Sequence, residues 1–468
     1  MTSDRDARQL LLDTPCHMAG TGAASDYAHV LLSTLGATVI RSDAPPDAHP
    51  AIAWASCGLM ALTGNAASDA QMCPAPLASC ADGVIKAISA IAGSDSLRLP
   101  SSGAALLGER AAIAGLQRQG SASPGGSCRL LRCADGWLAL NLARTEDWTL
   151  LPAWLESDVE ASWDAVTAAI AGRKSMQLVE RGRLMGLALA VADRPATQPP
   201  AWFDVYHAGA TVVRHTAAKP LVVDLSALWA GPLCAHFLLA LGARVIKVES
   251  WERPDGARQG PQAFNDLINA GKQSLALDFS SGADRAKLRE LLLRADIVIE
   301  GSRPRALRQL GIVAEEMLAA RPGLSWVSIS GYGRAEPEAN WAAYGDDAAV
   351  AAGLSGLLLE LTGDVLICGD AIADPLTGMH AALAAWASYR AGGGNLLIFS
   401  LRDIVAHCIG FSLPPSASER RARWLSWRTL AHQAGLSEIR SQARNTASTA
   451  RPLGADTTAI LEEFGFSC

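Results

Sequence analysis

From residue 220 onward, short apolar runs alternate with stretches of helical periodicity. Residues 221–225, 244–249, 296–300 and 326–330 are compact and carry β-branched side chains, as buried strands do, and the apolar run 275–279 is a further strand candidate. Residues 233–241, 283–295, 306–310 and 314–320 predict helices. The first of these opens at Pro232, where a missing N–H costs nothing, and is stopped by Gly242. Repeated strand–helix–strand units imply a parallel sheet covered by helices on both faces, because a parallel connection must cross over. The expected class is α/β, a large Rossmann-like parallel-sheet domain plus a smaller α+β domain.

The smaller domain is expected at 99–205. Ala134-Asp135-Gly136 lies between two β-rich runs and predicts a hairpin. Helical segments at 148–155, 166–170 and 176–181 follow, and Gln198-Pro-Pro-Ala reads as a linker. The full Rossmann-like domain is placed at 206–410 and a polar, Arg-rich helical tail at 411–468.

Residues 1–98 read as a shortened, degenerate copy of the large domain. Leu10-Leu-Leu-Asp13 … Met18-Ala-Gly20 parallels Leu221-Val-Val-Asp224 … Trp229-Ala-Gly231. Ala28-His-Val-Leu-Leu … Leu35-Gly-Ala parallels Ala235-His-Phe-Leu-Leu … Leu241-Gly-Ala. Gly58 to Gly64 parallels Gly356 to Gly363. Chance likeness between Ala- and Leu-rich helices explains one such match less strainedly than three in order. Setting Gly83 against Gly378 puts Ser79 opposite Asp374, so only the later copy keeps an acid there.

Composition narrows the function. The chain has 468 residues, half of them hydrophobic, and 13 tryptophans, enough for a large core. Its net charge of −6, with no cationic run, argues against nucleic acid. No apolar segment is long enough for a bilayer, and no signal-type stretch follows Met1, so neither membrane association nor export is expected. Ten cysteines without a Cys-x-x-Cys pair, and nine histidines without a cluster, predict no metal site and a reducing, cytoplasmic setting.

Three readings meet at Asp374. The strand, turn, helix and following Glu249 outline a dinucleotide fold, but Ala230-Gly231-Pro232 lacks the glycines that admit a pyrophosphate. Asp374 before Pro375, opening a helical run, reads locally as a helix cap. The same carboxylate, held by the helix dipole, would stay ionised and aimed as a nucleophile. A non-catalytic scaffold is the third reading, and the surviving acid argues against it.

Seven pieces in order resemble the class III CoA-transferases, the CaiB/BaiF family. They include Leu221-Val-Val-Asp-Leu, Leu241-Gly-Ala-Arg-Val-Ile-Lys-Val-Glu249, Asn269-Ala-Gly-Lys272, Ala295 to Gly311, Ser328-Ile-Ser-Gly331-Tyr-Gly333, Asp374-Pro-Leu-Thr-Gly-Met and Arg451-Pro-Leu-Gly-Ala. The resemblance implies a CoA-transferase that moves CoA between an acyl-CoA thioester and a carboxylic acid. Asp374 would be the nucleophile, passing through an aspartyl anhydride and an aspartyl-CoA thioester. Coenzyme A would be a substrate, with no permanently bound cofactor.

The resemblance also implies CoA contacts at Trp229 and Ala230, phosphate contacts at Arg258 and Lys272, and a glycine loop at Gly125-Gly126 closing over Asp374. Family members are interlocked dimers, so a homodimer or an internal pseudo-dimer is expected. Two departures stand out. Gly301-Ser302 replaces the usual Asn-Phe, and Tyr344-Gly345-Asp346-Asp347 carries no histidine where racemases of the family have one. Racemase or dehydratase-like chemistry, and CoA binding without turnover, are the alternatives.

Overall fold

The apolar runs become strands because both of their faces are covered. Val222, Val223, Ile297, Val298 and Ile299 are all fully buried. The computed structural model describes residues 8–92, 99–214, 219–446 and 448–466. Near the N-terminus, β1 (Pro15–Ala19) and β2 (Thr38–Ser42) pair in parallel. An antiparallel sheet follows, of β3 (Cys128–Arg132), β4 (Trp137–Asn141) and β5 (Ala188–Val191), with the Asp135-Gly136 hairpin at its first turn.

The large sheet holds β6 (Asp204–His207), β7 (Leu221–Asp224), β8 (Arg244–Ser250), β9 (Gln273–Leu277), β10 (Ile297–Glu300), β11 (Ser325–Ser330) and β12 (Asn395–Ser400). Its order is β6-β12-β11-β10-β7-β8-β9, parallel except for β6 at one edge. Residues 204–207 thus join the large sheet, and the expected boundary at 205/206 cuts through a strand. From β7 the chain runs outward through β8 and β9, then returns to the other side of β7 as β10. This reversal opens a crevice beyond the ends of β7 and β10, where ligands bind in open α/β sheets.

Residues 15–42 share part of this geometry. Pro15 faces Thr38 across β1 and β2 as Leu221 faces Arg244 across β7 and β8, with the same separation in sequence. The strand is therefore Pro15–Ala19 rather than the expected 10–13. Asp13, at φ 56, takes a left-handed conformation that a strand cannot continue.

Helix Leu77–Ala92 packs on helix Ala23–Thr34, and helix Ala373–Arg390 packs on helix Ala230–Ala240. Both pairs cross closely at a glycine. A Cβ on Gly83 would lie 2.6 Å from the Ala24 carbonyl oxygen, and one on Gly378 would lie 2.5 Å from that of Ala230. The two long helices also pack on each other, and one core runs from Leu31, Trp54 and Ile88 through to Phe237, Leu376 and Ile404.

Residues 8–92 accordingly share one core with the second half. A two-stranded sheet cannot stand alone in water and leans on the second half. Gly83→Val should lower unfolding stability by about 1–3 kcal/mol through overpacking at the crossing. A reduced urea midpoint with an unchanged slope would show this.

The smaller sheet has its own core around Trp154, Leu138 and Leu189. The C-terminal segment is tied down in both halves. Helix Ala417–Gln433 packs on helix Pro50–Ser56. Arg444 holds the buried Glu109, and Asp456 accepts the Ser274 N–H at 2.8 Å on β9. Among the described residues, no helix is long and apolar enough to cross a membrane.

Candidate active site

Asp374 lies at the start of the 18-residue helix Ala373–Arg390. The helix begins at Ala373, with Ile372 as its cap residue and no side-chain cap, so Asp374 is inside the first turn. The expected capping role is corrected accordingly, and the carboxyl is left for other partners. It faces a cavity of about 240 Å³ lined also by Arg110, Asp346, Trp229, Phe264 and Tyr344. Trp229 and Phe264 meet edge to face, with ring centroids 5.4 Å apart.

Two of the cavity residues, Leu228 (φ 69) and Ala371 (φ 45), adopt left-handed backbone without being glycine. Such strain costs about 1–3 kcal/mol per residue and collects at functional sites. Leu228 follows β7, so the strained turn lies at the crevice where the strand order reverses.

Burial pushes Asp374 up to about 7. Arg110 opposes the rise, Asp346 and Asp370 add to it, and an N–H from Gly345 lowers it. Asp346 is pushed up to about 6, by burial first and then by Asp370. The carboxylate expected to stay fully ionised at a helix N-terminus is therefore near half-ionised at neutral pH. Desolvation and two acidic neighbours outweigh the dipole. The result is a more basic, hence more nucleophilic, carboxylate.

Arg110 grips Asp370 through two bonds, Nε to Oδ2 at 2.9 Å and Nη2 to Oδ1 at 2.5 Å. Asp370 is fully buried. Gly345 completes the site by close approach, because a Cβ there would overlap Asp374 Oδ2 and the Ala371 carbonyl.

The residues expected from sequence are distributed unevenly. Trp229 lines the cavity, whereas Ala230 lies beneath Gly378 in the helix crossing. The Gly125-Gly126 loop reaches the site at its edge. Ser127 lines the cavity, and a Cβ on Gly125 would point at Arg110 Nη2 at 4.0 Å. Neither glycine lines it, and the Gly126 N–H is bonded to Ser123 O.

Arg258 and Lys272 are each held by a carboxylate. Arg258 is spent on Glu249, with bonds of 2.8 and 2.6 Å. Lys272 is buried against Asp224 at 2.9 Å and the Pro232 carbonyl at 2.8 Å, and burial lowers it to about 8. Neither is available to a phosphate. A separate cavity of about 1070 Å³ is lined by Arg183, Arg253, Arg303 and Arg305, by Arg144 paired with Asp147 at 2.6 Å, and by Glu146 and Glu180. Burial, then the charges of Arg305 and Arg144, lower the pKa of Arg303, the mark of crowded positive charge. Tyr344 lines the Asp374 cavity and feels the charges of Arg144 and Arg303, so the two cavities adjoin there.

Residues 220–423 match the model of CoA-transferase family III. The chain carries a CoA-transferase family III domain. The CoA-transferase domain is similar to the succinate–glutarate CoA-transferase of Agrobacterium fabrum, 30% identical over 200 residues, which are 39% of this chain and 50% of that protein. It is also similar to the acetyl-CoA:oxalate CoA-transferase of Acetobacter aceti, 32% identical over 210 residues, 40% of this chain and 53% of that protein. The chain spans about half the length of these curated relatives. A solved CAIB/BAIF family protein from Brucella suis is 29% identical over 49% of this chain and 60% of that one, with a TM-score of 0.37.

Sequence reading missed Arg110, Asp346 and Asp370 as site residues. Asp346 sits in the Tyr344-Gly345-Asp346-Asp347 stretch but carried no mark of its own, and Asp370 lies just before Asp374 with none either. Arg110 lies 260 residues before its partner Asp370, and nothing local signals it.

Proposed function

We propose that the chain moves CoA between an acyl-CoA and a carboxylic acid, with Asp374 as the covalent carrier. The observation that carries this reading is a buried carboxyl near pKa 7 on the family-matched segment, facing a cavity beside a second one rimmed with arginines. The arginine cavity takes the phosphates of CoA, since guanidinium groups such as Arg303 and Arg305, which no carboxylate pairs among the described residues, favour phosphate oxygens. The thioester end then reaches past Tyr344 to Asp374. Small acids are the acceptors named for the relatives, succinate, glutarate and oxalate, and a cavity of about 240 Å³ suits that class.

An Asp374 oxygen attacks the thioester carbonyl, the C–S bond breaks, and CoA leaves as thiolate. The thiolate attacks the Asp374 carbonyl of the mixed anhydride and expels the first acid as carboxylate, leaving an aspartyl-CoA thioester. The acceptor carboxylate attacks that thioester and releases the thiolate. The thiolate then takes the new acyl group and restores Asp374. Each tetrahedral intermediate carries an oxyanion that positioned N–H donors stabilise.

Among the described residues no histidine lines the Asp374 cavity, and His380 is buried with its Nε2 on the Tyr27 hydroxyl at 2.8 Å. This disfavours a racemase, which needs a second proton-transfer group. We read the two halves as a pseudo-dimer from a partial duplication, with one site per chain. Ser79, 1% exposed with no partner for its Oγ, stands where Asp374 stands in the second half.

The test is mass spectrometry after mixing with an acyl-CoA and hydroxylamine. A hydroxamate at Asp374 supports transfer, whereas CoA binding without an adduct supports a binder. The pH profile is a second check. A protonated acid cannot attack, so CoA release should rise with pH through about 7 and level off above it. A flat profile between pH 5 and 9 would contradict the assignment.

A further inference from the structure

An anionic acceptor must enter a cavity that already holds Asp346, Asp374 and, just behind, Asp370. Like charges repel it, so a cation has to receive it. Among the described residues lining that cavity, Arg110 is the sole cationic side chain. Its Nε and Nη2 are fixed on Asp370, which locks the plane of the guanidinium. Its remaining edge, Nη1, makes no hydrogen bond in the protein, and the side chain stays 32% exposed. The Trp229 ring lies 5.7 Å from the guanidinium carbon and walls one side.

From this geometry we infer that Arg110 is the anchor for the carboxylate of the acceptor acid, and that the acceptor is a short-chain acid. The buried Asp370 preorganises the anchor, and Arg110 keeps one edge free for the incoming anion. The residue comes from helix Glu109–Ala114, in the stretch after the first half, whereas Asp374 comes from the second half. The site is therefore incomplete without the first part of the chain. This inference rests on the transferase reading above and adds to it the group that selects the acceptor.

The test separates the two. Succinate is the probe, its binding to the full chain followed by ligand-observed NMR, and CoA release from an acyl-CoA with hydroxylamine in place of the acceptor is measured in parallel. Arg110→Gln should weaken succinate binding about tenfold or more, the loss of one charge-assisted contact. CoA release should fall near neutral pH, where Arg110 no longer holds the pKa of Asp374 down, and return to within a few-fold of wild type at high pH. Arg110→Lys, which keeps the charge, should bind with intermediate affinity.

In wild-type protein, where folding is not at issue, the Arg110 Nε–H resonance should shift on adding succinate. Unchanged succinate affinity in Arg110→Gln overturns the inference, as does binding without a shift of that resonance. If CoA release collapses while succinate still binds, Arg110 serves Asp374 and the inference also falls. If wild type binds succinate through Arg110 yet releases no CoA, the transferase reading fails and the anchor stands.

Discussion

Asp374→Asn should abolish transfer, lowering kcat by about 10⁴-fold or more, as loss of a covalent nucleophile does. The amide keeps the shape of the side chain but cannot form the anhydride. Acyl-CoA should still bind, because the arginine cavity is untouched, so the loss falls on kcat rather than KM. The same variant makes a stability prediction with a definite sign. The folded-state pKa of Asp374 is raised from 3.8 to about 7. Stability linked to its protonated form is fully present below about 4 and is lost as pH rises through about 7. A neutral asparagine does not incur that loss. Above pH 7 the variant should melt no lower than wild type, and a lower Tm at pH 8 would count against a buried acid in this environment.

Gly345→Ala is expected to have the next largest effect, a fall in kcat of about 100-fold. The added methyl would occupy the space of Asp374 Oδ2 and of the Ala371 carbonyl, so the nucleophile must turn away from the cavity. The Gly345 N–H that lowers the pKa of Asp374 would move with it. The midpoint of the pH–rate profile should therefore rise above that of wild type as kcat falls, with KM for acyl-CoA little changed. An alanine variant with the wild-type rate and midpoint would show that Gly345 does not position the acid.

Much of the large sheet was legible in the sequence for one reason. Runs such as 221–225 and 296–300 are apolar on both faces, and only a covered parallel strand has that requirement. The helix start at Asp374 was legible too, because Asp-Pro-Leu-Thr-Gly opens a helix whose glycine must meet a neighbour. The partners of Lys272 and Arg258 were not legible, for a physical reason. A sequence shows a cation but not the carboxylate that consumes it, here Asp224 and Glu249. Arg110 was invisible because its meaning depends on Asp370, a residue brought to it only by the fold. β6 escaped because it is four residues long and mostly exposed on its outer edge.

The bond from Arg444 to Glu109 has a consequence for the order of synthesis. Glu109 is 1% exposed and opens the short helix that carries Arg110. Its charge is compensated by a residue translated 335 positions later. While the chain is still on the ribosome, that carboxylate has no counterion, and a buried lone charge is unfavourable. The arginine pocket therefore cannot settle until nearly the whole polypeptide has emerged. A site built this way matures late, and shortening the chain before Arg444 should disturb Arg110, which lies beside Glu109 far earlier in the sequence.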